Sequence, residues 1–202
     1  MMKRYLIFGD SLAYGAWDSE GGWADRLKRY LHQKSIDTET DRSQLFNLGI
    51  GGDNSRDILT RIETEIQPRL ADFWTPVILI SCGLNDTRIE NGDIVVKIEE
   101  FQHNLTKIFE IANKYSDEVY YVEMPPIPGV VRFKNFEFSD ERTEKYMEIA
   151  KEISEQLGVK FIAVRDKYST KDIEEGFSRV LGHPTNRSHE IIYQTVKKEL
   201  NT

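Results

Sequence analysis

The sequence predicts a three-layer α/β/α fold on a five-stranded parallel sheet with a flavodoxin-like strand order. Short apolar runs alternate along the chain with longer segments of helical periodicity. Parallel strands joined through helices are covered on both faces, which is why their sequences are almost continuously apolar. Right-handed crossovers leave few possible strand orders, and the flavodoxin-like order is the one we expect. At 202 residues the chain fits one domain over 1–202, since chains usually divide beyond about 250–300 residues.

Five apolar runs rich in Val, Ile, Tyr and Phe are predicted to be the strands, because Gly, Asn or Pro punctuates them. They are Arg4–Phe8, Gln44–Leu48, Val77–Ser81, Val119–Glu123 and Val159–Val164. Apolar residues that recur every three or four positions predict the helices between them. These repeats run through Trp23, Leu27 and Leu31, through Ile58, Ile62 and Ile66, through Ile94, Ile98, Phe101, Leu105, Ile108 and Ile111, through Tyr146, Ile149, Ile153 and Leu157, and through 186–200.

One long stretch, Met124–Ser139, has neither pattern and holds three prolines and three phenylalanines. Long loops in compact domains often serve as lids or binding loops. The alternative is a surface excursion whose aromatic side chains pack on the core. Both interpretations stay open at this stage.

Composition and charge exclude several classes of protein. Apolar residues make up 39% and charged residues 30% of the chain, which argues against disorder. A net charge of -7 without a basic block disfavours nucleic-acid partners and an acidic membrane surface. No apolar run approaches the roughly 20 residues of a membrane span, so membrane insertion is not expected.

The cysteine count and the first residues indicate a cytoplasmic protein. Cys82 is the single cysteine, so no internal disulfide can form. The apolar run behind the basic residues 1–4 is too short for a signal-peptide core of about 7–15 residues.

Four polar loops carry the residues that could do chemistry. They are Ser11 after the first strand, Asn47–Asn54, Cys82–Asp86 and Gly182–Asn186 before the last helix. The loops after the first three strands should converge, because the carboxyl ends of neighbouring parallel strands lie at one edge of the sheet.

Together these loops supply the parts of an acyl-transfer site. A serine hydroxyl is a weak nucleophile until a base removes its proton, and histidine is the usual base. Ser11 and His183 fit those roles, and the Gly52 N–H and the Asn85 amide could stabilise an oxyanion. By itself, Ser11 fits a helix cap equally well.

The chain resembles the GDSL esterases and lipases, also called SGNH hydrolases, over essentially its whole length. Four blocks carry the resemblance: Gly9–Leu12, Asn47–Asp53, Gly83–Asp86 and His183–Pro184. It implies that Ser11 is the nucleophile and His183 the base. It also implies that the Ser11 N–H, Gly52 and Asn85 form the oxyanion hole.

The sequence departs from the family pattern at one position. The family usually has an aspartate three residues before the histidine, and here that residue is Val180. Three alternatives follow. A backbone carbonyl could hold His183 in a Ser-His dyad, an acid such as Asp172, Glu174 or Glu175 could substitute, or the site could be crippled.

The resemblance implies a serine hydrolase that cleaves a small acyl ester, soluble or sugar-linked, through an acyl-enzyme intermediate. It implies a small-molecule ester as the partner, and no cofactor or metal. Val180 motivates the alternative of a weakly active or non-catalytic binding protein on the same scaffold. Acyl transfer to an acceptor other than water is a further alternative.

Overall fold

A computed structural model describes residues 2–39, 41–133 and 135–201; Met1, Thr40, Lys134 and Thr202 lie outside the described residues. The strands of these ranges are numbered in chain order. They are β1 Met2–Gly9, β2 Arg42–Gly49, β3 Thr75–Ser81, β4 Ile89–Glu90, β5 Asp93–Ile94, β6 Val119–Val122, β7 Val130–Phe133, β8 Phe136–Ser139, β9 Lys160–Ile162, β10 Phe177–Ser178 and β11 His183–Pro184.

The α-helices separate the strands, and short 3-10 turns at Gln67–Arg69 and Arg165–Lys167 follow two of the elements. The helices are α1 Ser11–Tyr14, α2 Gly22–Thr38, α3 Ser55–Ile66, α4 Ile98–Tyr115, α5 Asp140–Leu157, α6 Thr170–Glu175 and α7 Asn186–Glu199.

The central sheet confirms the predicted fold class. Its order is β2-β1-β3-β6-β9, and all four pairings are parallel. This is the flavodoxin-like order, with β1 between the second and third strands. Gly9, the last residue of β1, pairs with Gly49 on one side and with Ser81 on the other, so three loops leave the sheet at one edge.

Alternate residues of the strands pack into two separate cores, one on each face of the sheet. In β1, Leu6 and Phe8 join the core formed with α3, α4 and α5. Tyr5 and Ile7 join the core formed with α2 and α7. The near-continuous apolar runs in the sequence follow from this two-sided burial.

The stretch predicted to be irregular contains a β-hairpin. β7 and β8 pair antiparallel and continue through β4 to β5, which gives a small four-stranded sheet. The alternation Phe136-Glu137-Phe138 is the period-two signal of a strand, hidden in the sequence by the prolines before it. The prediction also placed Ile94 in the fourth helix, which was wrong, because Ile94 lies in β5 and α4 begins at Ile98.

No helix within the described ranges is long and apolar enough to cross a membrane.

Candidate active site

Ser11 lies at the point where β1 gives way to the short helix α1. Asp10 caps that helix, and its Oδ1 accepts a hydrogen bond of 2.8 Å from the Leu12 N–H. Asp10 therefore braces the turn that carries Ser11. The turn directs the Ser11 side chain into a cavity at the carboxyl edge of the sheet.

His183 comes from the far end of the chain and faces Ser11. Its Nε2 lies 3.1 Å from Ser11 Oγ, and its Nδ1 lies 2.9 Å from the backbone oxygen of Leu181. The ring of Trp17 stands edge-on to the imidazole with the centroids 6.5 Å apart. A hydrogen bond from Nδ1–H to a carbonyl leaves Nε2 unprotonated, so it can accept the serine proton.

Each acid considered as a substitute partner for His183 has a different partner. Asp172 accepts hydrogen bonds from Ser169, the N-cap residue of α6, and from Arg187 Nε at 2.6 Å. The Ser169 hydrogen bonds are the main reason that the pKa of Asp172 is lowered to about 2, and Arg187 adds to the effect.

The other two acids lie in ion pairs, and the missing family position faces solvent. Glu175 lies 3.2 Å from Arg187 Nη1, and Glu174 lies 3.9 Å from Arg179 Nη2. Val180 is 85% exposed. The group beside His183 Nδ1 is therefore the backbone carbonyl of Leu181, which corresponds to the first of the three alternatives.

Ser11 and Gly52 both line the cavity, and each has a backbone N–H group. Among the described residues, neither the Ser11 N–H nor the Gly52 N–H has an acceptor. Gly52 has a φ of +90°, a conformation that favours glycine, and an added Cβ would meet nothing within 4 Å. Glycine is therefore required here by the backbone conformation and not by lack of space.

The Asn85 side chain lines the same cavity, but its amide nitrogen already has neighbours. Nδ2 lies 3.2 Å from Asp10 Oδ2 and 3.0 Å from the backbone oxygen of Asp53. These two contacts fix the amide beside the nucleophile turn. A bound oxyanion would have to share its hydrogens with them.

Buried carboxyl groups support the floor of the site. Burial is the main cause that raises the pKa of Asp10 to about 7, and hydrogen bonding by the Leu12 N–H opposes it. Burial likewise raises the pKa of Asp86 to about 6. Asp86 accepts the Ser55 N–H at 3.0 and 3.2 Å, so its role in the loop is structural.

Arg61 of α3 ties the loops of the site together, and sequence reasoning missed it. Its Nη2 lies 2.8 Å from the Leu48 oxygen and 3.3 Å from the Gly9 oxygen, at the ends of β2 and β1. Its Nε donates to Asp53 Oδ2 at 2.8 Å. One guanidinium therefore connects both strand ends with the loop that presents Gly52.

A cavity of about 580 Å³ opens in front of Ser11 and His183. The β7–β8 hairpin forms one wall with Phe133, Phe136 and Phe138. Phe138 also packs against the core formed with α3, α4 and α5 and against a small cluster of Ile127, Val131 and Phe177, so it contributes to the interior as well as to the cavity. The remaining lining side chains are mostly apolar, and they include Leu12, Tyr14, Trp17, Ile50, Leu84 and Arg88.

His189, six residues past His183, is a buried residue of α7. Burial lowers its pKa to about 4, and neither ring nitrogen has a partner among the described residues. No group of three or more His, Cys, Asp or Glu side chains in the described ranges could hold a metal ion.

Comparison with known proteins gives a match to one family and to several solved structures. The family model described as "GDSL-like Lipase/Acylhydrolase family" matches residues 7–191. A search of curated proteins finds no significant match.

The solved structures share the fold at low sequence identity. The lipase/acylhydrolase from Enterococcus faecalis is 18% identical with a TM-score of 0.73, over 98% of this chain and 95% of that one. The acetylxylan esterase Axe2 from Geobacillus stearothermophilus is 16% identical with a TM-score of 0.74, over 99% and 94%. LAE5, an alpha/beta hydrolase from the metagenome of Lake Arreo, is 16% identical with a TM-score of 0.74, over 98% and 95%.

Proposed function

The chain belongs to the GDSL-like lipase/acylhydrolase family, and on that basis we propose that Ser11 and His183 are the nucleophile and the base of a small-ester hydrolase. Membership of this family makes the protein a carboxylic ester hydrolase. One observation carries the residue assignment. Ser11 Oγ lies 3.1 Å from His183 Nε2, within the reach that proton transfer requires.

The reaction proceeds in two halves. Ser11 Oγ attacks the ester carbonyl while His183 Nε2 takes the hydroxyl proton. The tetrahedral intermediate collapses, the C–O bond to the alcohol breaks, and His183 returns the proton to the departing alkoxide. Water then attacks the acyl-enzyme with His183 as base, which releases the acid and restores the Ser11 hydroxyl.

The oxyanion of each tetrahedral intermediate is held by the two unpaired backbone N–H groups, those of Ser11 and Gly52. Asn85 adds a third donor from its amide. These groups carry no net charge and are already oriented, so little reorganisation is needed as charge develops on the oxygen.

Leu181 takes the orienting role that an aspartate has in a triad. Replacing the aspartate of a triad by asparagine costs about 10⁴-fold in kcat because the imidazole adopts the wrong tautomer. Here the carbonyl accepts from Nδ1–H, so the required tautomer is retained. A neutral carbonyl stabilises an imidazolium less than a carboxylate does, so the dyad should be slower than a full triad but active. This geometry favours a working dyad over the binding-protein alternative.

A small soluble or sugar-linked ester is the substrate that suits the cavity best. Its volume of about 580 Å³ lies within the range of about 300–1,000 Å³ typical of small-molecule sites. Trp17 and Tyr14 line the cavity and are 68% and 61% exposed, which leaves ring faces on which a sugar could stack. The likeness in fold to an acetylxylan esterase agrees with this choice.

Hydrolysis of p-nitrophenyl acetate tests the assignment. Ser11→Ala and His183→Ala should each reduce kcat/KM by 10³-fold or more, on the order seen for other serine hydrolases. His103→Ala, an exposed change on α4, is the matched control and should retain the activity. Equal rates for wild type and Ser11→Ala would refute the esterase assignment.

A second measurement distinguishes a serine esterase from a non-catalytic binding protein. An organophosphate such as diisopropyl fluorophosphate should modify wild type at Ser11, seen as a mass increase on the peptide that contains it. His183→Ala should react far more slowly. Product analysis with added alcohols distinguishes hydrolysis from acyl transfer.

A further inference from the structure

We propose that Arg88 selects esters that carry a carboxylate group, so that the substrate of this cavity is an anionic ester and not a neutral one. The inference rests on the proposed function and specifies its substrate. It concerns the part of the cavity lined by Arg88 and Phe136.

Arg88 is the permanently charged side chain in a lining that is mostly apolar, with Ser11, Asn85 and His183 among its polar members. Among the described residues that line the cavity, no carboxylate accompanies it. The whole chain has a net charge of -7, so a cationic cavity lining runs against the charge of the molecule. A guanidinium in apolar surroundings loses water, and the loss is recovered when a ligand supplies an anionic acceptor.

The hydrogen bonds of Arg88 leave part of the guanidinium without an acceptor. Nη2 lies 3.1 Å from Glu90 Oε2, and this is the one acceptor it has in the described ranges. Nε also lacks an acceptor, but it is fully buried, so a ligand does not reach it in this structure. Nη1 has no acceptor in the described ranges either and is not among the fully buried atoms, so it is the donor that a ligand in the cavity can reach.

The position of the guanidinium is held by its surroundings. Its Cζ lies 4.4 Å from the centroid of the Phe136 ring, a cation–π contact with a residue of the cavity wall. The main chain that carries this side chain is held by two backbone hydrogen bonds: the Arg88 N–H donates to the Asn85 oxygen at 3.4 Å, and the Val95 N–H donates to the Arg88 oxygen at 2.9 Å. A side chain fixed in this way recognises a planar carboxylate without first having to be ordered.

Glu90 makes the proposal sharper, because it competes with the ligand for the same guanidinium. Its side chain is 33% exposed. A substrate carboxylate therefore meets a cation that is only partly neutralised. Removing the Glu90 charge should strengthen anion selection, whereas removing the Arg88 charge should abolish it.

The test compares matched pairs of esters with the intact protein. The first pair, mono-p-nitrophenyl adipate and p-nitrophenyl hexanoate, places the carboxylate on the acyl side. The second pair, 4-acetoxybenzoate and its methyl ester, places it on the alcohol side. The readout is the ratio of kcat/KM for the anionic ester to that for its neutral partner, after subtraction of the Ser11→Ala rate.

We expect the wild-type ratio to exceed one for at least one pair. Arg88→Gln should lower that ratio at least tenfold, Arg88→Lys should lower it less, and Glu90→Gln should raise it severalfold. Arg132→Gln is the matched control, because it removes the same charge from strand β7 of the same small sheet, where Arg132 is 74% exposed and pairs with Glu137. It should leave the ratio within twofold, and added salt should lower the wild-type ratio.

Two outcomes overturn the proposal, and they are distinguishable from failure of the esterase assignment. Wild type that prefers the neutral ester of both pairs, or ratios that are equal in wild type, Arg88→Gln and Glu90→Gln, rejects Arg88 as the selecting group while hydrolysis itself persists. Wild type no faster than Ser11→Ala on all four esters rejects the proposed function and this proposal with it. If Arg88→Gln does not fold, Glu90→Gln and the salt dependence decide.

Discussion

The Nδ1 atom of His183 lies 2.9 Å from the backbone oxygen of Leu181, so the imidazole is oriented by the chain two residues before it. The neighbouring residue, Val180, occupies the position where the family usually has an aspartate, and its side chain projects into solvent. A main-chain acceptor has one consequence for protein engineering. Side-chain substitution cannot delete it, although a change in loop conformation can.

Val180→Asp tests whether this loop can accept a carboxylate. We expect kcat/KM for p-nitrophenyl acetate to change by less than about twofold, because the side chain at 180 points away from a nitrogen that already has an acceptor. A gain of tenfold or more would show that the loop rearranges and that a triad can be restored. Val180→Asn has the same shape without the charge and is the control.

Gly52→Ala should reduce catalysis by displacing the N–H assigned to the oxyanion hole. The new methyl group has open space, so the cost arises from the backbone φ of +90° and amounts to about 1–2 kcal/mol. We expect kcat to fall about 10–100-fold with a smaller change in KM, since the N–H acts mainly in the transition state.

Gly92→Ala is a matched control for that substitution. Gly92 also has a φ of +90° with nothing within 4 Å of an added Cβ, and it lies in the turn between β4 and β5. A similar loss of thermal stability with unchanged kcat is expected. Equal losses of kcat in both variants would contradict the role of Gly52 in the oxyanion hole.

Arg61→Met should damage stability and activity together. The substitution leaves the Leu48 oxygen without its donor and removes the ion pair with Asp53, for a loss of about 2–4 kcal/mol in the free energy of unfolding. Urea denaturation and kcat/KM measure the two effects. Arg56→Met removes the exposed pair with Glu100 from the same helix, and about 1 kcal/mol or less is expected there. Equal losses of stability and of kcat/KM in the two variants would contradict the conclusion that Arg61 connects the loops of the site.

Asp10 should make the free energy of unfolding depend on pH. Its pKa in the folded protein is raised from 3.8 to about 7, so between those values the folded state holds a proton that the unfolded chain has lost. Raising the pH from about 4 to about 7 therefore removes stability, and above that range this loss is complete.

Asp10→Asn isolates this contribution, because the variant side chain does not titrate. The free energy of unfolding of the variant minus that of wild type should increase between pH 5 and pH 7, by an amount on the order of 2 kcal/mol, and then level off. Urea denaturation at pH 5, 6, 7 and 8 measures it. Asp37→Asn, on the exposed face of α2, controls for the loss of one negative charge. Parallel curves for wild type and Asp10→Asn would contradict the raised pKa.

The hairpin at 130–139 is a part of the fold that the sequence pattern did not predict. The inner strands β1, β3 and β6 are mostly buried on both faces, so each is an apolar run that can be recognised by itself. β7 and β8 have four residues each and pair with each other, and the outer partner of β8 is β4, a strand of two residues. Strands of this kind are defined by their partners, and the partners are brought together only by folding.

The sequence by itself determined the α/β class, the strand order and the four loops that carry Ser11, Gly52, Asn85 and His183. It could do so because two-sided burial leaves a pattern in each segment, and because strand order decides which loops meet. Only the tertiary structure decided that Leu181 orients His183, that Arg61 joins the loops and that Arg88 enters the cavity. A backbone carbonyl belongs to every residue and leaves no mark in the sequence, and an arginine takes its role from the distant groups that surround it.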